Sequence, residues 1–275
     1  MTAPPRVDVE WLALRAGLKP VIRLTAEIGE ADAIAERYRE RGAEVVRALG
    51  AVGLARRRQA VVYVALDRRR AEEAREIEAP ILQPGGHLAR DVEAVHVRAL
   101  GACLGYPRCC VEAFAARLAR TPLERRAGDA SDAYLAARQA HVPRPNPWLN
   151  DLLLGLGVRV VTFSPCRYDC EAAGCLAAAV MELVARHHGP AVRPLEEWLR
   201  RPVVVGWYGG RALAELDGTR RLVVRAAPPT AASAVADGAD ATLAADVVGA
   251  RVSDDGTLVG GLAEPALLVD FASGA

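Results

Sequence analysis

Gln59-Ala60-Val61-Val62-Tyr63-Val64-Ala65-Leu66 is a continuous apolar run rich in β-branched residues. That is the composition of a buried strand. Asp67 follows it and is placed to cap a charged helix running to about Glu78, because a short carboxylate accepts from the free N–H groups of a first helical turn. Upstream, Ala31 to Leu49 carries Ile34, Tyr38 and Val45 or Val46 on one stripe, and this spacing predicts a helix. Ala79-Pro80 through Pro84-Gly85-Gly86 reads as a loop. The opening of the chain, residues 1–86, is therefore expected to be a small α/β part.

Residues 87–190 read as mainly helical. Leu88 to Leu104 forms one helix that stops at Gly105-Tyr106-Pro107. Proline disrupts a helix interior but fits a first turn, where its missing N–H has no partner to lose, so a new helix is expected from Pro107 to Arg120. Residues 121–147 are loop-rich around a short helix near Tyr134. Trp148 to Leu156 then reads as helical and Val158-Arg159-Val160-Val161-Thr162-Phe163 as a strand. Ser164-Pro165 is expected to open a long helix to His188, with serine as cap and proline at the first position. Residues 191–275 are β-rich. Aspartate–glycine pairs at Asp217-Gly218 and Asp255-Gly256 stand between apolar runs and signal hairpins, and a loop with Pro228-Pro229 interrupts them. The expected class is α+β: an α/β part at 1–86, a helical cysteine-bearing core at 87–190 and an antiparallel tail at 191–275.

A chain of 275 residues, 52% apolar, can bury a hydrophobic core without disulfides. Its 35 basic and 34 acidic residues nearly cancel, leaving a net charge of +1. No overall field draws it to nucleic acid or to anionic lipid. Lys19 is the sole lysine among arginines, so imine chemistry would fall on one residue in a loop-like Gly17-Leu18-Lys19-Pro20. The first residues lack the apolar run of a signal peptide, and no segment approaches the ~20 apolar residues of a membrane span. A cytoplasmic location is expected, where thiols stay reduced. The six cysteines then call for burial, metal binding or catalysis as their explanation.

Four of the six stand in two short pieces, Pro107-Arg108-Cys109-Cys110 and Pro165-Cys166-Arg167-Tyr168-Asp169-Cys170. Read as helix starts, both pieces meet unpaired N–H groups and a partial positive charge, which favour thiolate over thiol. Arg108 and Arg167 push the same way, and Tyr106 and Tyr168 are placed to roof a site. Cys166 and Cys170, four apart, would share a helical face. The spacing is neither that of paired zinc knuckles nor that of radical enzymes. Adjacent cysteines point about 100° apart on a helix. Cys109, with Glu112 three residues on, is the expected metal ligand together with Cys166 and Cys170. Cys110, four before Phe114, is the expected accessory or catalytic thiol. Cys103 and Cys175 lie in Ala/Leu-rich stretches and are expected to pack.

Leu104-Gly105-Tyr106-Pro107-Arg108-Cys109-Cys110-Val111-Glu112-Ala113-Phe114, followed by Ser164-Pro165-Cys166-Arg167-Tyr168-Asp169-Cys170, resembles the uncharacterised prokaryotic family known as domain of unknown function 483. The resemblance implies that the two pieces belong to one domain, and it brings no activity with it. The family pattern includes a histidine shortly before the second piece, where this chain reads Val161-Thr162-Phe163.

His141, in the proline-stiffened Ala140-His141-Val142-Pro143-Arg144-Pro145-Asn146-Pro147, is a candidate ligand or acid/base group, and Asn146 a candidate substrate contact. His187-His188 are read as a helix C-terminal cap. Pro84-Gly85-Gly86-His87 lacks the glycine spacing of a nucleotide loop. The expected cofactor is an iron–sulfur cluster, acting on a small-molecule substrate in sulfur-transfer or Lewis-acid chemistry. The alternative is zinc, structural or hydrolytic, with His141 or another cysteine as fourth ligand. A metal-free thiol enzyme and a binding module are the other readings.

Overall fold

The computed structural model describes residues 5–52, 57–82, 90–120, 131–206, 211–216, 222–225, 250–252, 257–259 and 266–274. The chain divides into two compact units, Asp8–Gly128 and Met1–Val7 with Asp129–Ala275. The boundary falls inside the 87–190 stretch. The class is α+β, as expected, and the described residues form antiparallel sheets of three, four and two strands.

The Asp8–Gly128 unit runs α1 (Val9–Arg15), β1 (Val21–Ala26), α2 (Ala31–Arg39), β2 (Glu44–Val52), β3 (Arg57–Ala65), α3 (Arg68–Leu82), α4 (Arg90–Cys103) and α5 (Arg108–Arg120). β3 lies between β1 and β2 and is antiparallel to both. It is the apolar run quoted above, and Ala60 to Ala65 are almost wholly buried. Side chains alternate across a strand. Ala60, Val62 and Val64 therefore pack with Leu14 of α1 and Ala31, Ala35 and Tyr38 of α2. Val61, Tyr63 and Ala65 pack with Ala71, Ala74 and Leu82 of α3 and with Leu104. Tyr63 also brings a polar group into the interior, and its hydroxyl donates to Glu78 at 2.7 Å. The Arg23 guanidinium grips the same carboxylate at 2.5–2.8 Å.

Two expectations change in this unit. The Ala31–Leu49 helix ends at Arg39, and Glu44 to Val52 is strand β2. Gly42, at φ +82°, takes the left-handed turn that ends a helix, and the Gly42 and Ala43 N–H groups donate to Arg39 and Tyr38 carbonyls at 2.8 and 3.1 Å. α3 runs past the expected stop and contains Pro80. Asp67 caps it, accepting from Arg69 N–H at 3.0 Å. Residues 83–89, including Pro84-Gly85-Gly86-His87, lie outside the described residues.

The second unit runs α6 (Ser131–Ala140), 3-10 turns Pro147–Leu149 and Leu154–Leu156, and α7 (Glu171–Leu199). It continues through β4 (Val203–Gly206), β5 (Arg211–Leu216), β6 (Leu222–Arg225), β7 (Arg251–Val252), β8 (Leu258–Val259), β9 (Ala266–Val269) and a 3-10 turn Phe271–Gly274. The antiparallel order is β6-β5-β4-β9, with β7 and β8 as a separate pair. The expected pairing on either side of Asp254-Asp255-Gly256 is present as β7 with β8. Around Asp217-Gly218 the expected partners, the 202–208 and 220–225 runs, do not pair with each other: β5 lies between β4 and β6 and pairs with both. The turns Asp217-Gly218 and Asp254-Asp255-Gly256, the loop at 226–229 and the stretch 121–130 lie outside the described residues.

Four corrections concern the cysteine-bearing stretch. The segment Trp148 to Leu156 forms two 3-10 turns, not one helix. Val158 to Phe163 is not a strand: Val158, Val160 and Val161 are buried, but no described strand pairs with them. Apolar side chains there are buried without a backbone ladder. The long helix begins at Glu171, with Cys170 as its N-cap residue, and not at Ser164-Pro165. The expected end at His188 is a kink (φ −141°, ψ 43°) beside Pro190, and the helix resumes to Leu199. Proline offers no N–H and crowds the carbonyl four residues back.

Candidate metal centre

The first cysteine piece is positioned within a helical hairpin. α4 ends at Cys103, and Gly105 makes the turn at φ +74° with its α-carbon close to Pro20. A β-carbon at Gly105 would lie 2.7 Å from Pro20 Cδ. Pro107 then starts α5, its carbonyl accepting from Cys110 N–H at 2.9 Å and Val111 N–H at 3.1 Å. Gly101 of α4 allows Val111 to approach: a β-carbon there would sit 2.6 Å from Val111 Cγ2. Arg98 and Glu112 bridge the same two helices at 2.8 Å. Cys109 is exposed, whereas Cys110 is only 2% exposed.

The second piece is a loop held from one side by its own unit. Tyr168 N–H donates to Ala140 O at 2.8 Å, and Tyr168 O accepts from Asn146 N–H at 2.7 Å. A helix through this piece would need that N–H and carbonyl for its own bonds, so it starts later. The Tyr168 side chain is buried: its hydroxyl donates to Asp151 at 3.1 Å, and its ring meets Phe271 edge-on at 4.9 Å. It anchors the loop from within and does not roof a site. Burial pushes the Asp151 carboxyl up, while hydrogen bonds from Ser164 and Tyr168 and the Arg211 charge pull it back. Cys170 N–H closes a turn onto Arg167 O at 3.1 Å, and Cys170 O accepts the first helical bond from Gly174 at 2.8 Å. Cys166 and Cys170 are thus a loop residue and a cap residue, not two residues of one helical face.

The sulfurs of Cys109, Cys110, Cys166 and Cys170 all lie within 4.8 Å of one another, a group able to hold a metal ion. Cys109 Sγ and Cys110 Sγ are 4.0 Å apart. Both sulfurs of the doublet join the group, and among the described residues no histidine or carboxylate does. Cys103 and Cys175 stand outside it, and Cys175, expected to pack, is exposed. Cys103 lies instead on a polar groove of about 890 Å³ with Asp67, Arg70 and Glu73. Burial and then Glu73 raise its pKa, against the pull of Arg70.

The other candidates fall as follows. His141 is half-buried just beyond α6. Arg108 is exposed at the first position of α5. Arg167 is exposed and bidentate to Asp169 at 2.8 Å, and this hydrogen bond lowers the Asp169 pKa. Asn146 caps the Pro147–Leu149 turn through Trp148 N–H at 3.0 Å. Tyr106 is half-buried, with the Lys19 ammonium 5.0 Å from its ring centre. Lys19 is buried and paired with Glu10 at 2.7 Å. It therefore ties α1 to the turn that precedes the cysteine doublet, a role the reading from sequence missed. Its standing as the single lysine among arginines was the available signal: a compact ammonium fits where a guanidinium fork does not.

Compared with family models, with curated proteins and with solved structures, the chain matches none of them. No helix among the described residues is long and apolar enough to cross a membrane.

Proposed function

We propose that Cys109, Cys110, Cys166 and Cys170 bind one tetrahedral ion, zinc, as a closed four-thiolate site. The observation that carries this reading is the spread of the four sulfurs, at most 4.8 Å. Four sulfurs about 2.3 Å from one tetrahedral ion stand roughly 3.8 Å apart. The 4.0 Å of the Cys109–Cys110 pair is near that value. Thiolates on different irons of a cluster are separated by the iron–iron distance as well as by two Fe–S bonds, so a cluster asks for a wider set. The spacing thus favours the zinc alternative over the iron–sulfur cluster. Four protein ligands also leave no open position, which is the pattern of zinc sites that hold structure. The ion supplies charge to keep the four sulfurs as thiolates. The resemblance to domain of unknown function 483 rests on these same two pieces and adds no reaction.

Elemental analysis of the reduced full chain tests this. One zinc per chain is expected, and cobalt in its place should give the intense sulfur-to-metal absorption of four thiolates. Brown protein carrying several irons with inorganic sulfide would overturn the single-ion reading.

A further inference from the structure

The four cysteines differ in exposure. Cys109 is exposed, Cys166 and Cys170 are half-buried, and Cys110 is 2% exposed. An oxidant arriving from water therefore meets Cys109 first, with other sulfurs within 4.8 Å of it. Cys109 and Cys110 are consecutive residues of α5, projecting about 100° apart, and their bonding would unwind the first turn of that helix. Cys166 and Cys170 have no such constraint with Cys109, since they stand in the loop and cap before α7.

We infer that Cys109 is a peroxide-sensitive sulfur, whose oxidation ends in a disulfide with Cys166 or Cys170 and opens the four-thiolate site. In the first step the Cys109 thiolate attacks one oxygen of a hydroperoxide. An S–O bond forms, the O–O bond breaks, and the departing oxygen takes a proton and leaves as water or an alcohol. In the second step the thiolate of Cys166 or Cys170 attacks the Cys109 sulfenic sulfur. An S–S bond forms, the S–O bond breaks, and the hydroxide leaves as water after taking a proton. Two thiolates are oxidised by two electrons in all, and the peroxide is reduced by the same two. Cys110 and the remaining cysteine are then the last two thiolates, too few to retain a tetrahedral ion.

The expulsion of the ion rests on the proposed zinc site, while the disulfide does not, so the test separates them. The full chain carrying Cys103→Ser and Cys175→Ser, with only the grouped thiols left, is reduced, loaded with zinc and treated with equimolar hydrogen peroxide. A chromogenic zinc chelator reads release, alkylation counts thiols, and peptide mass spectrometry locates the bond. The expected result is release of the bound zinc with loss of two of the four free thiols, and a cross-link from Cys109 to Cys166 or Cys170. Both should reverse with a thiol reductant. Retention of zinc and all four thiols at tenfold excess peroxide overturns the inference, and so does a bond that leaves Cys109 free. A reduced chain that binds no zinc overturns the metal reading instead. The cross-link in that metal-free chain then decides the inference about Cys109.

Discussion

Tyr168 donates its peptide N–H to Ala140 O at 2.8 Å, and this bond holds the Cys166–Cys170 loop against the end of α6. The Tyr168 side chain adds a second anchor through Asp151 at 3.1 Å. Tyr168→Phe removes only the second. It should cost about 1 kcal/mol, the usual worth of one hydrogen bond, and leave metal content unchanged. Tyr168→Ala also empties the contact with Phe271 and should cost about 3–5 kcal/mol. Denaturant titration of both variants, with metal per chain measured on each, separates the anchors. Equal metal loss in the two would show that the hydroxyl, and not the packing, positions the loop.

The approach of α4 to α5 depends on Gly101. Gly101→Ala would place a methyl 2.6 Å from Val111 Cγ2, and overpacking of that kind costs about 1–3 kcal/mol. Because Val111 follows the doublet, metal affinity should fall along with stability. Val111→Ala added to Gly101→Ala removes the clashing carbons and should restore part of both. A double-mutant cycle with no coupling would refute the contact.

Substituting serine at Cys109, Cys110, Cys166 or Cys170 should lower zinc per chain in every case. Cys103→Ser and Cys175→Ser should leave it intact, since both stand outside the group of four. Zinc analysis of the six variants reads this directly. Unchanged zinc in Cys110→Ser would return the ligand set to three cysteines.

The Tyr63 phenol is held neutral by burial first and by the Glu78 charge and hydrogen bond next, so its pKa is raised above the ordinary value near 10.0. A phenol whose folded pKa is raised contributes stability that is complete below the unfolded value and is lost as pH rises above it. Unfolding free energy should therefore decline above about pH 10 in denaturant titrations. Tyr38 is raised the same way, by burial and then Asp8, and adds to the decline. Tyr63→Phe should flatten the slope. Glu78→Ala, which strands the Arg23 charge, should cost about 3–5 kcal/mol at neutral pH. An unaltered slope in Tyr63→Phe would remove that phenol from the account.

Local chemistry determined several elements by itself. Gln59 to Ala65 is a strand because an unbroken β-branched run suits a buried strand, and Pro107 stands directly before α5 because proline has no N–H to lose at a helix start. The aspartate–glycine pairs between apolar runs signalled an antiparallel tail, and the described strands there are antiparallel, although which strand pairs with which around residue 217 was set by β5 and not by that signal. Glu44 to Val52 has residues that serve helix or strand, and its place beside β3 decided for strand. Gly42 was the one local sign of that break. Ser164-Pro165 has good helix-start chemistry, yet the helix waits until Glu171 because Ala140 and Asn146 occupy the Tyr168 peptide groups. The two cysteine pieces were legible as chemistry, from their residue types and their prolines. That four sulfurs come within 4.8 Å, and that Cys109 is exposed while Cys110 is buried, was decided by tertiary structure. Distances between pieces far apart in the chain are set by packing and by backbone bonds that no local pattern encodes.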